Sequence, residues 1–273
     1  MEEYMESCCC FDAAQYTGTP DSSHIADPVD VPKVLAGLDA LNNSGREADG
    51  EAYLEEALSD ACSRGDWRAE ISFLSELLGQ YRRSGNRDAA LRCVEKAMSL
   101  IRIHCLGQTI SGATVLLNAA TTMKCFGLAK ESLPIFRHVS RVYAEHLDPH
   151  DYRFAGLYNN MALSFGDAGD PASAERYFRL ALQVLESCPN SENDCAVTWC
   201  NLAELYDSVD HMDPRIEPCM EHAWAALNTP SLPRDGYHAF TVSKCIPAFD
   251  YFGYFLYAEE LRRRAKEIYE KRT

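Results

Sequence analysis

Apolar and small residues recur along this chain with the period of an α-helix, most clearly over residues 156–182. Two helical patterns there are joined by a predicted turn at Gly169. Relative to this glycine, large side chains stand at positions −11, −4 and +9, and small ones at −7, +5 and +12. Residues three or four positions apart share one helix face, so each helix has an apolar face to bury. A pair this short cannot bury both faces alone, which predicts neighbouring copies.

The same pattern recurs, with a turn residue every 40 to 43 residues. The predicted turns lie at Gly45, Gly85, Gly127, Gly169, Asp210 and Gly253. This regular step predicts an all-α array of six helix-turn-helix units over residues 29–273. We place the units at 30–65, 66–107, 108–149, 150–190, 191–232 and 233–273. Residues 1–28 are polar and acidic and lack the helical period, so we expect a disordered acidic arm there.

The repeated positions also have a characteristic choice of residues. They include the packing pairs Leu77-Leu78, Ala119-Ala120, Met161-Ala162 and Leu202-Ala203, the aromatic residues Tyr81, Phe165, Phe178 and Tyr206, and the small residues Ala90, Ala174 and Ala181. In these residues the chain resembles the tetratricopeptide repeat family. The step of about 42 residues and the words LYNNMAL and WCNLAELY look like the long repeats of kinesin light chain and its bacterial relatives. The resemblance implies a right-handed α-α superhelix, a solenoid, whose first helices line a concave groove for a peptide or a partner's helix.

Composition narrows the classes of partner and the compartment. The 273 residues carry a formal net charge of −15, and residues 1–66 hold 15 acidic and 3 basic residues. An acidic chain without an evident basic face repels phosphates, so we expect no nucleic-acid partner. The N-terminal residues lack a secretion signal and no apolar run could span a bilayer, so we expect a cytoplasmic protein with reduced cysteines and no membrane partner. The run Cys8-Cys9-Cys10 is left open between a reduced tail, lipidation and metal capture.

The groove lining that the resemblance implies has an asparagine at one offset in three units, at Asn118, Asn160 and Asn201. An asparagine amide offers both a donor and an acceptor, which suits the backbone of an extended peptide. The alternative is that each amide bonds to a neighbouring helix and only spaces the repeats. The two roles can coexist.

Charges separate along the same lining. Basic residues fall in the second and third units and acidic residues in the fourth, fifth and sixth, the last being Asp250, which predicts a groove that is positive in its N-terminal half and negative in its C-terminal half. The alternative is an accidental separation on a solvated surface. The predicted peptide- or partner-binding residues are Arg82, Arg83, Asn118, Thr121, Lys124, Asn159, Asn160, Asp167, Asn201, Glu204 and Asp207. The acidic arm is itself a candidate ligand for Arg82 and Arg83.

These observations predict a non-enzymatic scaffold or adaptor that binds a protein or peptide as a monomer or weak homo-oligomer. The alternative is a regulatory sensor whose helices rearrange when a peptide binds. A metal-dependent hydrolase is a third hypothesis, because residues 145–151 gather Glu, His and Asp side chains. Pro149 breaks the helical spacing that would align the two histidines there, so we predict no metal site. The chain has no nucleophile elbow, P-loop or dinucleotide glycine motif, so we predict no catalytic residue and no cofactor.

Overall fold

A computed structural model of the chain describes residues 11–43 and 46–270. Within these ranges it contains twelve α-helices, two short 3-10 helices at Ala13–Tyr16 and Glu47–Asp49, and no β-strand. The α-helices are α1 (Val31–Asn43), α2 (Gly50–Arg64), α3 (Trp67–Ser84), α4 (Arg87–Ile103), α5 (Ile110–Cys125), α6 (Ala129–His146), α7 (Arg153–Asp167), α8 (Pro171–Glu186), α9 (Glu192–Val209), α10 (Ile216–Leu227), α11 (Gly236–Tyr251) and α12 (Phe255–Glu270). None of these helices is both long and apolar enough to cross a membrane. The predicted all-α fold of helix-turn-helix repeats is confirmed.

The chain divides into two compact units, Met1–Leu147 and Asp148–Thr273. We call them the N-terminal unit and the C-terminal unit. Each contains three helical hairpins, α1–α2, α3–α4 and α5–α6 in the first, and α7–α8, α9–α10 and α11–α12 in the second. Within a unit, the first helices of successive hairpins also pack together, α3 on α5 and α9 on α11. These first helices therefore share a surface in each unit, which we call its first-helix face.

The core follows the repeat pattern that the sequence predicts. Ala120, Ala162 and Ala203, at the small position of three first helices, are all 0% exposed. Their small side chains let the two helices of a hairpin approach closely. Phe136 and Phe178 occupy the large position of two second helices and are fully buried. Burying one such ring stabilises the fold by roughly 1.5–3 kcal/mol.

Glycines end several first helices. Gly85, Gly127, Gly169 and Gly253 all have positive φ, between 74° and 87°. A Cβ at any of these four positions would meet no atom within 4 Å, so the left-handed backbone, rather than lack of space, selects glycine. Gly45 lies outside the described residues. After two of these turns a side chain caps the next helix, since Asn86 and Asp170 accept hydrogen bonds from backbone N–H groups of α4 and α8.

Residues 11–28 differ from the unstructured arm that their composition predicts. They lie against the N-terminal unit, with Tyr16 only 7% exposed. The Phe11 and Tyr16 rings contact the buried His138 ring of α6. The prediction used the average composition of the segment, which is low in hydrophobic residues. That average gave little weight to Phe11 and Tyr16, which supply its apolar contacts with the unit. Cys8, Cys9 and Cys10 lie outside the described residues.

Candidate functional site

The predicted site residues divide between the two first-helix faces. Those of the N-terminal unit lie on α3 and α5, and those of the C-terminal unit on α7 and α9. The N-terminal group is Arg82, Arg83, Asn118, Thr121 and Lys124, and the C-terminal group is Asn159, Asn160, Asp167, Asn201, Glu204 and Asp207. Each face is described by itself below.

Arg82 joins the two central helices of the N-terminal face. Its Nη1 donates to the Thr122 hydroxyl at 2.7 Å and to the Asn118 carbonyl oxygen at 3.3 Å. Both acceptors belong to α5, and Thr122 is fully buried. Burial lowers the pKa of the Arg82 guanidinium, and neighbouring Arg83 acts in the same direction. Arg82 therefore links α3 to α5.

Arg83 converges on the same place. A Cβ added at Gly79 would lie 3.8 Å from Arg83 Nη1 and 3.9 Å from Arg82 Nη2, so both guanidinium groups lie over this glycine. Neither arginine forms an ion pair with any residue whose side chain the structure describes. Glu76 lies one turn earlier. Desolvation by the surrounding protein raises the pKa of the Glu76 carboxyl, although the side chain is exposed. The charges of Arg83 and Arg82 act to lower this pKa. The sequence offsets did not identify Glu76, Gly79 or Thr122 as parts of this cluster.

The three recurring asparagines make different bonds. Asn118 Nδ2 donates to Ser75 Oγ at 2.9 Å, which links α5 to α3. Asn201 Nδ2 donates to Asn159 Oδ1 at 3.0 Å, which links α9 to α7. Asn160 Nδ2 instead donates to the Gly156 carbonyl of its own helix at 2.9 Å. Two of the three amides thus space neighbouring hairpins, as one interpretation of the sequence expected, and their side-chain oxygens have no protein donor among the described residues.

Thr121 and Lys124 complete the N-terminal group. Thr121 and Lys124 are both half-buried on α5. The Thr121 hydroxyl donates to the Leu117 carbonyl of its own helix at 2.8 Å. Lys124 has no carboxylate partner within the described part of the chain. The N-terminal face therefore combines three cations with an amide and a hydroxyl.

The acidic residues of the C-terminal face are partly engaged within the unit. Asp207 accepts hydrogen bonds from Tyr251 Oη at 2.9 Å and from His211 Nδ1 at 3.1 Å. Partial burial acts to raise the pKa of Asp207, but these two bonds outweigh it and lower the pKa. Asp167 and Glu204 are exposed to solvent. Desolvation by the neighbouring protein nevertheless raises the pKa of the Glu204 carboxyl.

One cross-link in the C-terminal unit has no signal in the sequence. Asp194 of α9 accepts hydrogen bonds from Tyr152 at 2.5 Å and from Tyr237 at 2.7 Å. Burial, followed by the bond to Asp194, raises the pKa of Tyr237 to about 12. The three residues come from three different hairpins, so this contact links all three. Only the fold brings them together, because more than 40 residues separate Asp194 from each tyrosine.

Potential metal ligands do not gather in the structure. In the described ranges, no three His, Cys, Asp or Glu side chains are placed to hold a metal ion. In the cluster at residues 145–151, His146 Nε2 contacts the Gln108 carbonyl at 3.1 Å and His150 Nδ1 contacts the Ser187 hydroxyl at 3.3 Å. These contacts have the structural character that helix ends and loops commonly show.

Sequence comparison identifies one repeat directly. The family model of the tetratricopeptide repeat matches residues 154–187, which contain α7 except its first residue and all of α8. Among characterised proteins, the antiviral innate immune response effector IFIT1 of Macaca fascicularis is 28% identical over 179 residues. That match covers 63% of this chain and 36% of the relative. The chain thus spans about a third of the length of the characterised relative it matches.

Solved structures share the fold at low sequence identity. BtubC (BKLC) from P. vanneervenii has a TM-score of 0.50 at 20% identity, covering 88% of this chain and 91% of its own. A kinesin light chain-like repeat protein of Podosopora anserina also scores 0.50, at 14% identity, over 74% of this chain and 95% of its own. A monomeric IFIT1 mutant with m7Gppp-AAAA scores 0.51 at 17% identity, over 87% of this chain and 54% of its own. Residues 154–187 thus match the tetratricopeptide repeat, and the helical hairpins of the chain share the fold of these solved structures.

Proposed function

We propose that this chain is a protein-binding repeat protein whose N-terminal first-helix face takes an acidic peptide segment. The observation that carries the proposal is the convergence of Arg82 and Arg83 over Gly79 without an ion pair to any carboxylate whose side chain the structure describes. Two like charges so close repel each other, and a bound carboxylate would relieve that repulsion. Guanidinium groups also bind carboxylates through two parallel hydrogen bonds, which adds geometric specificity.

The uncharged groups beside the arginines suit the backbone of the same ligand. Asn118 donates its amide to Ser75 and keeps its side-chain oxygen for a peptide N–H. Thr121 lies one helical turn further along α5, where its oxygen can accept a hydrogen bond. In this proposal Asn118 both spaces the hairpins and grips the peptide. Lys124 supplies a third cation for a ligand that carries several acidic residues.

RNA is the other class of anionic ligand to weigh, because the IFIT1 structure contains m7Gppp-AAAA. Two observations favour the peptide. The net charge of −15 repels a polyphosphate at long range, whereas a short acidic peptide carries fewer charges to repel. The match also covers only 36% of the characterised IFIT1 relative, so the ligand of that whole protein does not carry over to this chain.

Selection from a random dodecapeptide display library tests the proposal, since such a library samples many peptide sequences at once. We expect peptides selected by the wild-type chain to be enriched in Asp and Glu. Replacing both arginines, Arg82→Ala with Arg83→Ala, should weaken the best peptide about ten-fold or more. The matched control, Arg87→Ala with Arg92→Ala on the exposed surface of α4, removes the same charge elsewhere and should change affinity less than about two-fold.

Three results would overturn the proposal. One is selection without acidic enrichment. Another is an equal loss of affinity in both double variants, since only net charge would then matter. The third is an RNA oligonucleotide that binds more tightly than any selected peptide and loses affinity in the Arg82 and Arg83 variant, which would replace the peptide by RNA at the same face.

A further inference from the structure

The N-terminal segment, residues 11–21, is seated on a surface of the N-terminal unit that the proposed peptide site does not use. This surface is formed by Trp67 at the start of α3, by the end of α4 with the loop at residues 104–109, and by His138 of α6. We call it the segment surface. Tyr16 is the only residue in 11–30 that is buried, so one aromatic side chain provides the main apolar anchor.

The Tyr16 site is shaped for close approach. A Cβ at Gly107 would lie 2.4 Å from Tyr16 Cβ and 2.5 Å from the Tyr16 carbonyl oxygen, so only glycine fits below the segment. The Gly107 carbonyl is held by His138 Nε2 at 2.8 Å, and the His138 ring lies 6.3 Å from the Tyr16 ring. Burial lowers the pKa of His138, which favours the neutral imidazole beside the aromatic rings. The floor is therefore fixed by residues outside the segment.

A second anchor lies five residues further along. The Asp21 N–H donates to the His104 carbonyl at 3.0 Å, and Asp21 Oδ2 contacts His104 Nδ1 at 2.8 Å. A backbone bond from Ser23 and the contact with His104 lower the pKa of Asp21 to about 2. The His104 ring is itself stacked on Trp67 at 4.0 Å. The unit thus offers a prearranged imidazole to a carboxylate.

Glycine also links the two anchors. Gly18 has φ of +138°, and a Cβ there would lie 2.8 Å from Cys105 Sγ. Any other residue at this position would strain the backbone and press on the loop. The segment surface therefore selects a tyrosine, a glycine two residues later and an aspartate five residues later. The intervening Thr17, Thr19 and Pro20 remain exposed.

We propose that the segment surface is a second peptide-docking site, and that residues 11–21 are its resident ligand. The partner it fits is an extended peptide with the pattern Tyr-x-Gly-x-x-Asp, offered by another molecule in place of the chain's own segment. Because the resident segment is tethered, its effective concentration is of the order of millimolar, and it masks the site from weak ligands. Loosening the tethered segment therefore exposes the site.

The probe is a fluorescent synthetic peptide with the sequence of residues 11–30, added to the full-length chain. The variant Tyr16→Ala with Asp21→Ala loosens the resident segment. We expect it to bind the peptide about ten-fold or more tightly than the wild-type chain does, by fluorescence anisotropy. A peptide with the same two alanines should not bind. The control variant Thr19→Ala with Ser22→Ala changes only exposed positions and should behave as wild type.

The peptide is acidic, so it could bind at Arg82 and Arg83 instead. Adding Arg82→Ala and Arg83→Ala to the loosened variant separates the two sites. Retained binding supports the segment surface, and lost binding assigns the peptide to the first-helix face and overturns the inference. Failure of the loosened variant to bind, with helix content and melting temperature unchanged, would also overturn it.

Hydrogen exchange gives a test that needs no substitution. In the wild-type chain the Asp21 amide, which donates to the His104 carbonyl, should exchange more slowly than the amide of an unstructured peptide. Excess probe peptide should accelerate it by displacing the resident segment. An Asp21 amide that is unprotected from the outset would contradict the docking of the segment itself.

Discussion

The two first-helix faces carry opposite charges and treat them differently. In the N-terminal unit Arg82 and Arg83 lie together over Gly79 and have no carboxylate partner among the described residues. In the C-terminal unit Asp207 is held by Tyr251 and His211, and Asp250 pairs with Arg262. The two arginines of one face thus have no ion pair among the described residues, whereas Asp207 and Asp250 on the other are already engaged. Exposed pairs add little to stability, so this difference bears mainly on recognition.

The two units also differ in how they bond a buried histidine. His138 in the N-terminal unit donates from Nε2 to the Gly107 carbonyl, a bond that a protonated imidazole can also make. His238 in the C-terminal unit has Arg234 Nη1 at 2.6 Å from Nε2 and Asn193 Oδ1 at 2.8 Å from Nδ1. An arginine can only donate, so His238 Nε2 must be unprotonated. Burial and then Arg234 lower the pKa of His238 to about 4.

Acid should therefore destabilise the C-terminal unit through His238. The unfolded chain binds a proton at this histidine near pH 6.5, whereas the folded chain resists it until about pH 4. The stability that neutral His238 contributes is present above pH 6.5 and is lost as the pH falls towards 4. We expect a loss of up to about 3 kcal/mol in the opening free energy of α11, measured by hydrogen exchange across this range.

His238→Gln is the variant that isolates this effect, because glutamine is polar and does not titrate. Its α11 should show a much flatter pH dependence, and His138→Gln in the other unit should leave the response of α11 unchanged. Equal pH dependence in wild type and His238→Gln would contradict the assignment.

Asn118 and Asn201 form a matched pair across the two units, since each amide links two first helices. Truncating either to alanine should cost about 0.5–1.5 kcal/mol in unfolding free energy, because one hydrogen bond is lost in each case. Only Asn118→Ala should also weaken a selected acidic peptide, since only that asparagine lies beside the arginines. Chemical denaturation and peptide titration of both variants measure the two effects. Unchanged peptide affinity in Asn118→Ala would restrict this residue to spacing the hairpins.

Glycines inside first helices give the smallest expected effect. Gly79 lies in α3 and Gly156 in α7, and a methyl group at Gly79 would meet both guanidinium groups only at ordinary contact distances. At Gly156 it would meet nothing within 4 Å. Alanine should therefore stabilise each helix by about 0.5–1 kcal/mol. Thermal melting should show both gains, and a loss of stability in Gly79→Ala alone would mean that the two arginines are packed more tightly over α3.

The repeats were predictable because they depend on many residues at once. The helical period, the small residues such as Ala162 and the turn at Gly169 each contribute, so no single position decides the outcome. The site depends on single contacts between distant residues. Arg82 reaches Thr122 across 40 positions, and His238 reaches Asn193 across 45. No local period records such pairs. The seating of residues 11–28 was missed for a related reason, because one buried side chain, Tyr16, has little weight in a polar segment.

The stacking of Trp67 on His104 makes tryptophan fluorescence sensitive to the contacts of His104. Each of the three tryptophans faces a different ring, since Trp199 lies on His222 and Trp224 on Tyr257. The emission of an indole depends on the ring stacked on it. His104 is also the imidazole that Asp21 contacts, so movement of that carboxylate changes the surroundings of the Trp67 ring. In the variant Trp199→Phe with Trp224→Phe, only Trp67 remains as an indole. Its fluorescence should therefore report, without a label, whether the N-terminal segment is bound to the segment surface.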